Sequence, residues 1–195
     1  MDIFESDDSS TPLTSDEKNG LKLKWIMLRS ELNEAEARNI AKAQIWLYSN
    51  KNKDVCSDVF LRELHKRMFD DVWKWAGTYR ASERNIGVAP YQIPLKLMQL
   101  FDDVKFWIEN KTYPNNEIAV RLHHRLVQIY PFPNGNGRVS RLMADLLMEK
   151  LEGRKLYWGN KNLVNVSEVR KAYITALRKA DEGDYSDLLE FTFAE

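Results

Sequence analysis

Residues 130–141 read Tyr-Pro-Phe-Pro-Asn-Gly-Asn-Gly-Arg-Val-Ser-Arg, and these residue types at this spacing suit the binding of an anion. The Gly135-Asn136-Gly137 turn lets the main chain approach a ligand closely, because glycine has no Cβ and tolerates positive φ. A helix expected to start around Arg138 would aim its unpaired N–H groups and its positive dipole end back into the turn. Arg138 and Arg141 are three residues apart, on one helical face, so both can reach the same anion. A main-chain cradle with two guanidiniums at a helix N-terminus makes a phosphate site. The plainer alternative is a helix–helix turn with a solvated arginine pair, since glycine-rich turns are common. The phosphate reading predicts a nucleotide.

The stretch also resembles the signature of Fic-domain proteins, His-x-Phe-x-(Asp/Glu)-Gly-Asn-Gly-Arg-x-x-Arg. Phe132, Gly135, Asn136, Gly137, Arg138 and Arg141 match it in register. Trp75-Ala-Gly-Thr-Tyr-Arg80 is similar to the segment leading into the Fic flap, and Tyr173 to Tyr185 is similar to the end of many Fic domains. The early Glu31-Leu-Asn-Glu34 and the run His123 to Val127 resemble the small bacterial proteins called mobile mystery protein B. The resemblance implies an all-α Fic fold, a helical bundle with a small β-hairpin flap. It implies transfer of AMP from Mg²⁺-ATP to a hydroxyl side chain of a target protein that the sequence does not name. In that scheme the Gly135–Gly137 main chain holds phosphates, Arg138 neutralises their charge, Arg141 reaches the γ-phosphate, and Phe132 anchors the loop from below. The flap, at Arg84, Asn85, Ile86, Gly87 and Val88, would hold an extended stretch of the target by strand addition.

Two positions depart from that signature. Tyr130 stands where the family has its catalytic histidine, read as the general base for the attacking hydroxyl. A base works best with a pKa near the operating pH; an ordinary tyrosine titrates at about 10. Position 130 leaves three readings: a lost base in a pseudoenzyme, a replacement in an otherwise active protein, or a different chemistry for the hydroxyl. Asn134 stands where most members place an acidic Mg²⁺ ligand. Its carbonyl oxygen can bind a hard cation but brings no charge to offset it.

Many Fic proteins restrain themselves with a glutamate on a helix bearing (Ser/Thr)-x-x-x-Glu-(Gly/Asn). Ser30-Glu-Leu-Asn-Glu34-Ala35 matches all but the last position, so the resemblance implies a pair between Glu34 and Arg141. A solvated helix face is the ordinary alternative. The histidines His65, His123 and His124 are read as packed or structural, with His124 only a remote candidate for a substitute base.

Composition sets the frame for these groups. The 195 residues suit one domain with small extensions, and 44% hydrophobic content with six Trp is enough for a packed core. With 29 basic and 29 acidic residues the formal charge is zero, so no whole-chain field draws nucleic acid or an anionic membrane. A lone Cys56, no leader-like N-terminal pattern and no long apolar run give the expectation of a cytoplasmic protein.

The elements follow from spacing. Residues 1–13 read as an acidic tail, 14–56 as N-terminal helices including the candidate inhibitory helix, and 57–195 as the Fic domain. A helical pattern starts at Ser15, with Leu21, Leu23, Ile26 and Met27 among its apolar positions, and Asn39 to Tyr48 continues as helix. Ser57 caps a helix reaching to Trp73. Tyr79 to Pro94 reads as turns and short extended pieces, a hairpin among the options. Helices follow at Leu95–Glu109, Glu117–Ile129 and Arg138–Leu151, the last ended by Gly153 with Leu142, Leu146, Leu147 and Leu151 facing inward. Two further helices run from Ser167 to about Ala180 and across Ser186–Phe191.

Overall fold

The apolar spacing resolves, in a computed structural model describing residues 15–49, 54–158 and 166–193, into eight helices among the described residues. They are α1 (Ser15–Gly20), α2 (Arg29–Tyr48), α3 (Asp58–Phe69), α4 (Ile93–Glu109), α5 (Asn115–Ile129), α6 (Asn136–Glu152), α7 (Val166–Asp181) and α8 (Ser186–Phe193). The acidic tail read at 1–13 lies outside the described residues. Among the described residues no helix is long and apolar enough to cross a membrane.

Helices α5 and α6 form the central antiparallel pair, with α4 and α8 against α5 and α3 against α6. The core between them is built from residues such as Leu97, Leu100 and Val104 of α4, Ile118, Leu122 and Leu126 of α5, and Met143, Leu147 and Met148 of α6. The buried face of α6 is therefore centred on Val139, Met143, Ala144 and Leu147, and Leu142 and Leu146 sit at its edge. Helix α2 packs on α3, and Asn39 fastens the two: its amide donates to the Arg67 carbonyl at 2.9 Å and its oxygen accepts from the Asp71 N–H at 2.9 Å.

Three expectations are corrected. The first helix stops at Gly20, and the chain then runs beside the end of α3, with an antiparallel bridge between Leu21 and Trp73. Long-range pairing there outweighs local helical spacing. Helix α3 ends at Phe69, since Val72 and Trp73 turn their N–H groups to the Phe69 carbonyl. The hairpin at the flap is not formed. Residues 81–89 are irregular and lead into a 3-10 turn at Pro90–Gln92.

The three histidines are buried and neutral. His65 is pushed down to about 3 by burial, His123 well below its ordinary value by burial and then by Arg141, and His124 down by burial. The unfolded chain therefore binds protons below pH ~6.5 that the folded chain refuses, and stability falls as pH drops through that value. Asp145, raised by burial to about 6, acts in the opposite sense below that pH, because its folded form takes up the proton first. The histidines outnumber it. Thermal unfolding followed from pH 7.5 to 5 should show a falling Tm. His65 and His123 would each contribute a slope of up to about 1.4 kcal/mol per pH unit. A Tm that is flat over this range contradicts the assignment of neutral rings.

Candidate nucleotide site

The turn between α5 and α6 is held from inside by its own residues. Asn136 closes it: its Oδ1 accepts from the Phe132 N–H at 2.9 Å and its amide donates to the Phe132 carbonyl at 2.8 Å. Phe132 is fully buried and stacks on His65, with ring centroids 3.7 Å apart and 13° between planes. The His65 Nδ1 accepts from the Gly77 N–H at 2.9 Å, which fixes the proton on Nε2, and Nε2–H donates to the Asn134 carbonyl at 3.1 Å. A neutral ring is the only state that serves both bonds. His65 thus positions the turn.

Gly135 is the N-cap of α6 at φ +78, a conformation that favours glycine, and its cradle is close-packed. A Cβ there would lie 2.6 Å from two atoms of the Phe69 ring. The helix starts at Asn136, and its first main-chain bond runs from the Val139 N–H to the Gly135 carbonyl at 3.0 Å. The first-turn N–H groups of any helix lack an intrahelical acceptor, so this end of α6 presents donors and a positive dipole end. Arg141, 9% exposed, lies along the same turn, its Nη1 3.5 Å from where a Gly137 Cβ would sit.

The expected pair between Glu34 and Arg141 is not formed. Glu34 is exposed and pairs with Arg38 one turn on, not with Arg141, and Ser30 is also exposed. Glu36 is the buried carboxylate, 3% exposed. Its Oε2 meets the Arg138 Nη1 at 2.6 Å, and its Oε1 accepts from the Trp73 indole N–H at 2.5 Å. The reason is helical phase. The inward stripe of α2 is Leu32, Glu36, Asn39 and Ala43, and Glu34 falls off it. A glutamate on a buried stripe was the available signal. The Arg138 guanidinium also lies 4.8 Å above the Phe69 ring.

Asn136, read as a nucleotide ligand, spends its side chain on the brace, and Phe132 lies beneath the turn rather than facing it. Asn134, the metal candidate, turns its Oδ1 onto the Gly135 N–H at 2.7 Å. No cluster of three or more His, Cys, Asp or Glu among the described residues could hold a metal ion. Asn134 thus brings an uncharged oxygen that already accepts from the main chain.

Tyr130 caps α5 in the left-handed region at φ 52 and is half-buried. A non-glycine residue there costs on the order of 1 kcal/mol and marks a constrained position. The histidines of α5 are engaged with other partners. His123 Nε2 bonds the Tyr173 hydroxyl at 2.9 Å, while His124 bonds the Tyr185 hydroxyl at 2.8 Å and Asp181 at 2.9 Å. They tie α5 to α7 and to the stretch before α8. Of the flap residues, Arg84, Asn85, Ile86 and Gly87 are exposed, and Val88 turns inward, its N–H donating to the Ile129 carbonyl at 3.3 Å.

Comparison with known proteins agrees with this geometry. A family model described as Fic/DOC family matches residues 56–148. Protein adenylyltransferase fic-1 of Caenorhabditis elegans is 26% identical over 137 residues, covering 64% of this chain and 27% of that protein. A probable protein adenylyltransferase of Aquifex aeolicus is 28% identical over 151 residues, covering 72% of this chain and 43% of that protein. The chain spans less than half the length of either curated relative. The crystal structure of BepC from Bartonella tribocorum, with bound AMPPNP, superposes with a TM-score of 0.67 at 17% identity, over 97% of this chain and 93% of that one. At that identity the likeness speaks for the fold. With its turn, its brace and its two arginines, this chain carries over residues 56–148 a region that matches the Fic/DOC family model.

Proposed function

We propose that this chain binds ATP at the Gly135–Arg141 turn on a scaffold for transferring AMP to a hydroxyl of a target protein, and that Tyr130 leaves the transfer silent or strongly slowed. The observation that carries the nucleotide reading is the turn: left-handed Gly135 opening α6, braced by Asn136, with Arg138 and Arg141 beside it. Its relatives named as adenylyltransferases support the reaction class.

In such a transfer the target oxygen bonds to the α-phosphorus while the bond to the bridging oxygen breaks. Pyrophosphate leaves with the electron pair, and the hydroxyl proton must pass to a base. Main-chain N–H donors and guanidiniums stabilise charge on the transferring group. Phenol is a poor proton acceptor beside imidazole, so the acceptor step is the one that fails. Mg²⁺ accompanies ATP in solution, and no step here runs through it. A target segment would lie along Arg84–Val88, a reading supported by the approach of Gly87 to Tyr130, 2.7 Å from a Gly87 Cβ position to the Tyr130 Cβ. Glu36 acts as an internal anion that holds Arg138 until phosphate displaces it.

The second reading is a nucleotide- or target-binding module without chemistry, antitoxin-like in role. Tyr130 together with the uncharged Asn134 favours it.

Arg138→Ala and Arg141→Ala test the site. Each removes a charged donor, and charge-assisted bonds are worth roughly 1.5–3 kcal/mol, so ATP affinity should drop at least about tenfold. Calorimetric titration beside a circular dichroism spectrum separates lost binding from lost fold. Unchanged affinity in both variants would remove the turn from the nucleotide site.

A further inference from the structure

Arg80 is 3% exposed, and its guanidinium meets main-chain carbonyls. Nε–H donates to the Tyr130 carbonyl at 2.6 Å and Nη1–H to the Ser82 carbonyl at 3.0 Å. Nη2–H donates to the Val88 carbonyl and, at 3.4 Å, to that of Ile129. The Arg80 N–H adds a bond to the Pro131 carbonyl at 2.9 Å. Of the side-chain acceptors, Val88 belongs to the flap, Ser82 to the stretch that leads into it, and Ile129 and Tyr130 to the end of α5. The latter carbonyls lie past the last intrahelical donors and carry the negative end of the helix dipole, which a fixed cation complements. Opposite the guanidinium sits Gly87 at φ +94, where a Cβ would lie 2.8 Å from Arg80 Nη2 and 2.7 Å from the Tyr130 Cβ. The flap can come this close only as glycine.

We propose that Arg80 is a positioning residue: it clamps the flap to the carboxyl end of α5, so that the left-handed backbone of residue 130 and the depth of the flap above it are set together. A planar fork with five donors spans four carbonyls at fixed spacing, which the point charge of lysine cannot do. In its functional consequence the clamp rests on the transfer reading above, since a target segment on the flap would meet residue 130 at a height that Arg80 dictates.

The test uses the native chain and Arg80→Lys, read by amide hydrogen exchange. Lysine keeps the charge and loses the fork. Exchange at the Val88 and Tyr130 amides should rise at least about tenfold, with α6 amides from Val139 to Met148 within about twofold. Unchanged exchange at Val88 and Tyr130, or equal acceleration throughout α6, overturns the proposal. If the lysine variant does not fold, the native chain decides. Its Arg80 Nε–H and Nη–H protons should give separate, slowly exchanging NMR signals at neutral pH. A rotationally averaged guanidinium overturns the clamp. Neither measurement uses nucleotide or target, so a loose clamp and a failed ATP titration are distinguishable results.

Discussion

Given Mg²⁺-ATP, the Tyr130→His chain is expected to transfer AMP at a rate about 10²–10⁴ times that of the chain with tyrosine. The reason is the proton. The turn can hold charge on the phosphate with main-chain donors and guanidiniums in either chain, but only imidazole at this position is a competent acceptor near neutral pH. Residue 130 is fixed in the left-handed region at the end of α5, so a new side chain inherits a defined direction. The neighbouring histidines offer no bypass, because His123 and His124 are committed to Tyr173, Tyr185 and Asp181. Intact mass of the purified chain and labelling of added proteins with AMP-tagged ATP give the readout. Equal transfer by both chains would sink the lost-base argument. Silence in both, with ATP bound, would favour the binding module.

Glu36→Gln is expected to lower the stability of the nucleotide-free chain and to raise its ATP affinity. The pair it breaks is nearly buried, with the Arg138 side chain 14% and the Glu36 side chain 3% exposed. Removing one partner of such a pair costs roughly 3 kcal/mol, because the other charge stays behind without compensation. Glutamine retains an oxygen for the Trp73 indole N–H, so most of the loss belongs to the Arg138 contact. ATP phosphate then meets an arginine that no longer has to leave a carboxylate, and Kd should fall about tenfold or more, ~1.4 kcal/mol. Melting curves with and without ATP show both effects: a lower Tm alone, and a larger rise on adding nucleotide. Glu34→Gln should do neither, since Glu34 is an exposed partner of Arg38. If Glu36→Gln binds ATP no more tightly, Glu36 is a structural bridge between α2 and α6 and not a brake.

The difference between Glu34 and Glu36 shows what a sequence can and cannot carry here. The turn was legible because its information is local: glycine, asparagine and arginine spacing states both the conformation and the donors. The all-α class was legible for the same reason, through apolar periodicity in α3 to α6. The phase of α2 was not, because local spacing set no break between Ser15 and Tyr48, whereas the helix begins afresh at Arg29, and that start fixes the stripe that buries Glu36. Leu21, Leu23 and Ile26 kept helical spacing yet leave α1 at Gly20, since Leu21 bridges to Trp73 in another part of the chain. Arg80 was visible only as the end of a family-like segment. Its partners are carbonyls of residues 82, 88, 129 and 130, and no local pattern announces a guanidinium facing main chain. The same holds for His65, whose two bonds join Gly77 to Asn134.

The most direct test of the account is an ATP titration of the native chain followed by backbone amide NMR. The prediction is saturable shifts centred on the amides of Gly135, Asn136, Gly137 and Arg138, with a coupled change at Glu36 and the Trp73 indole N–H as the carboxylate lets go of Arg138. Saturable shifts elsewhere that spare the turn, or none at millimolar ATP, would contradict a nucleotide site at the start of α6.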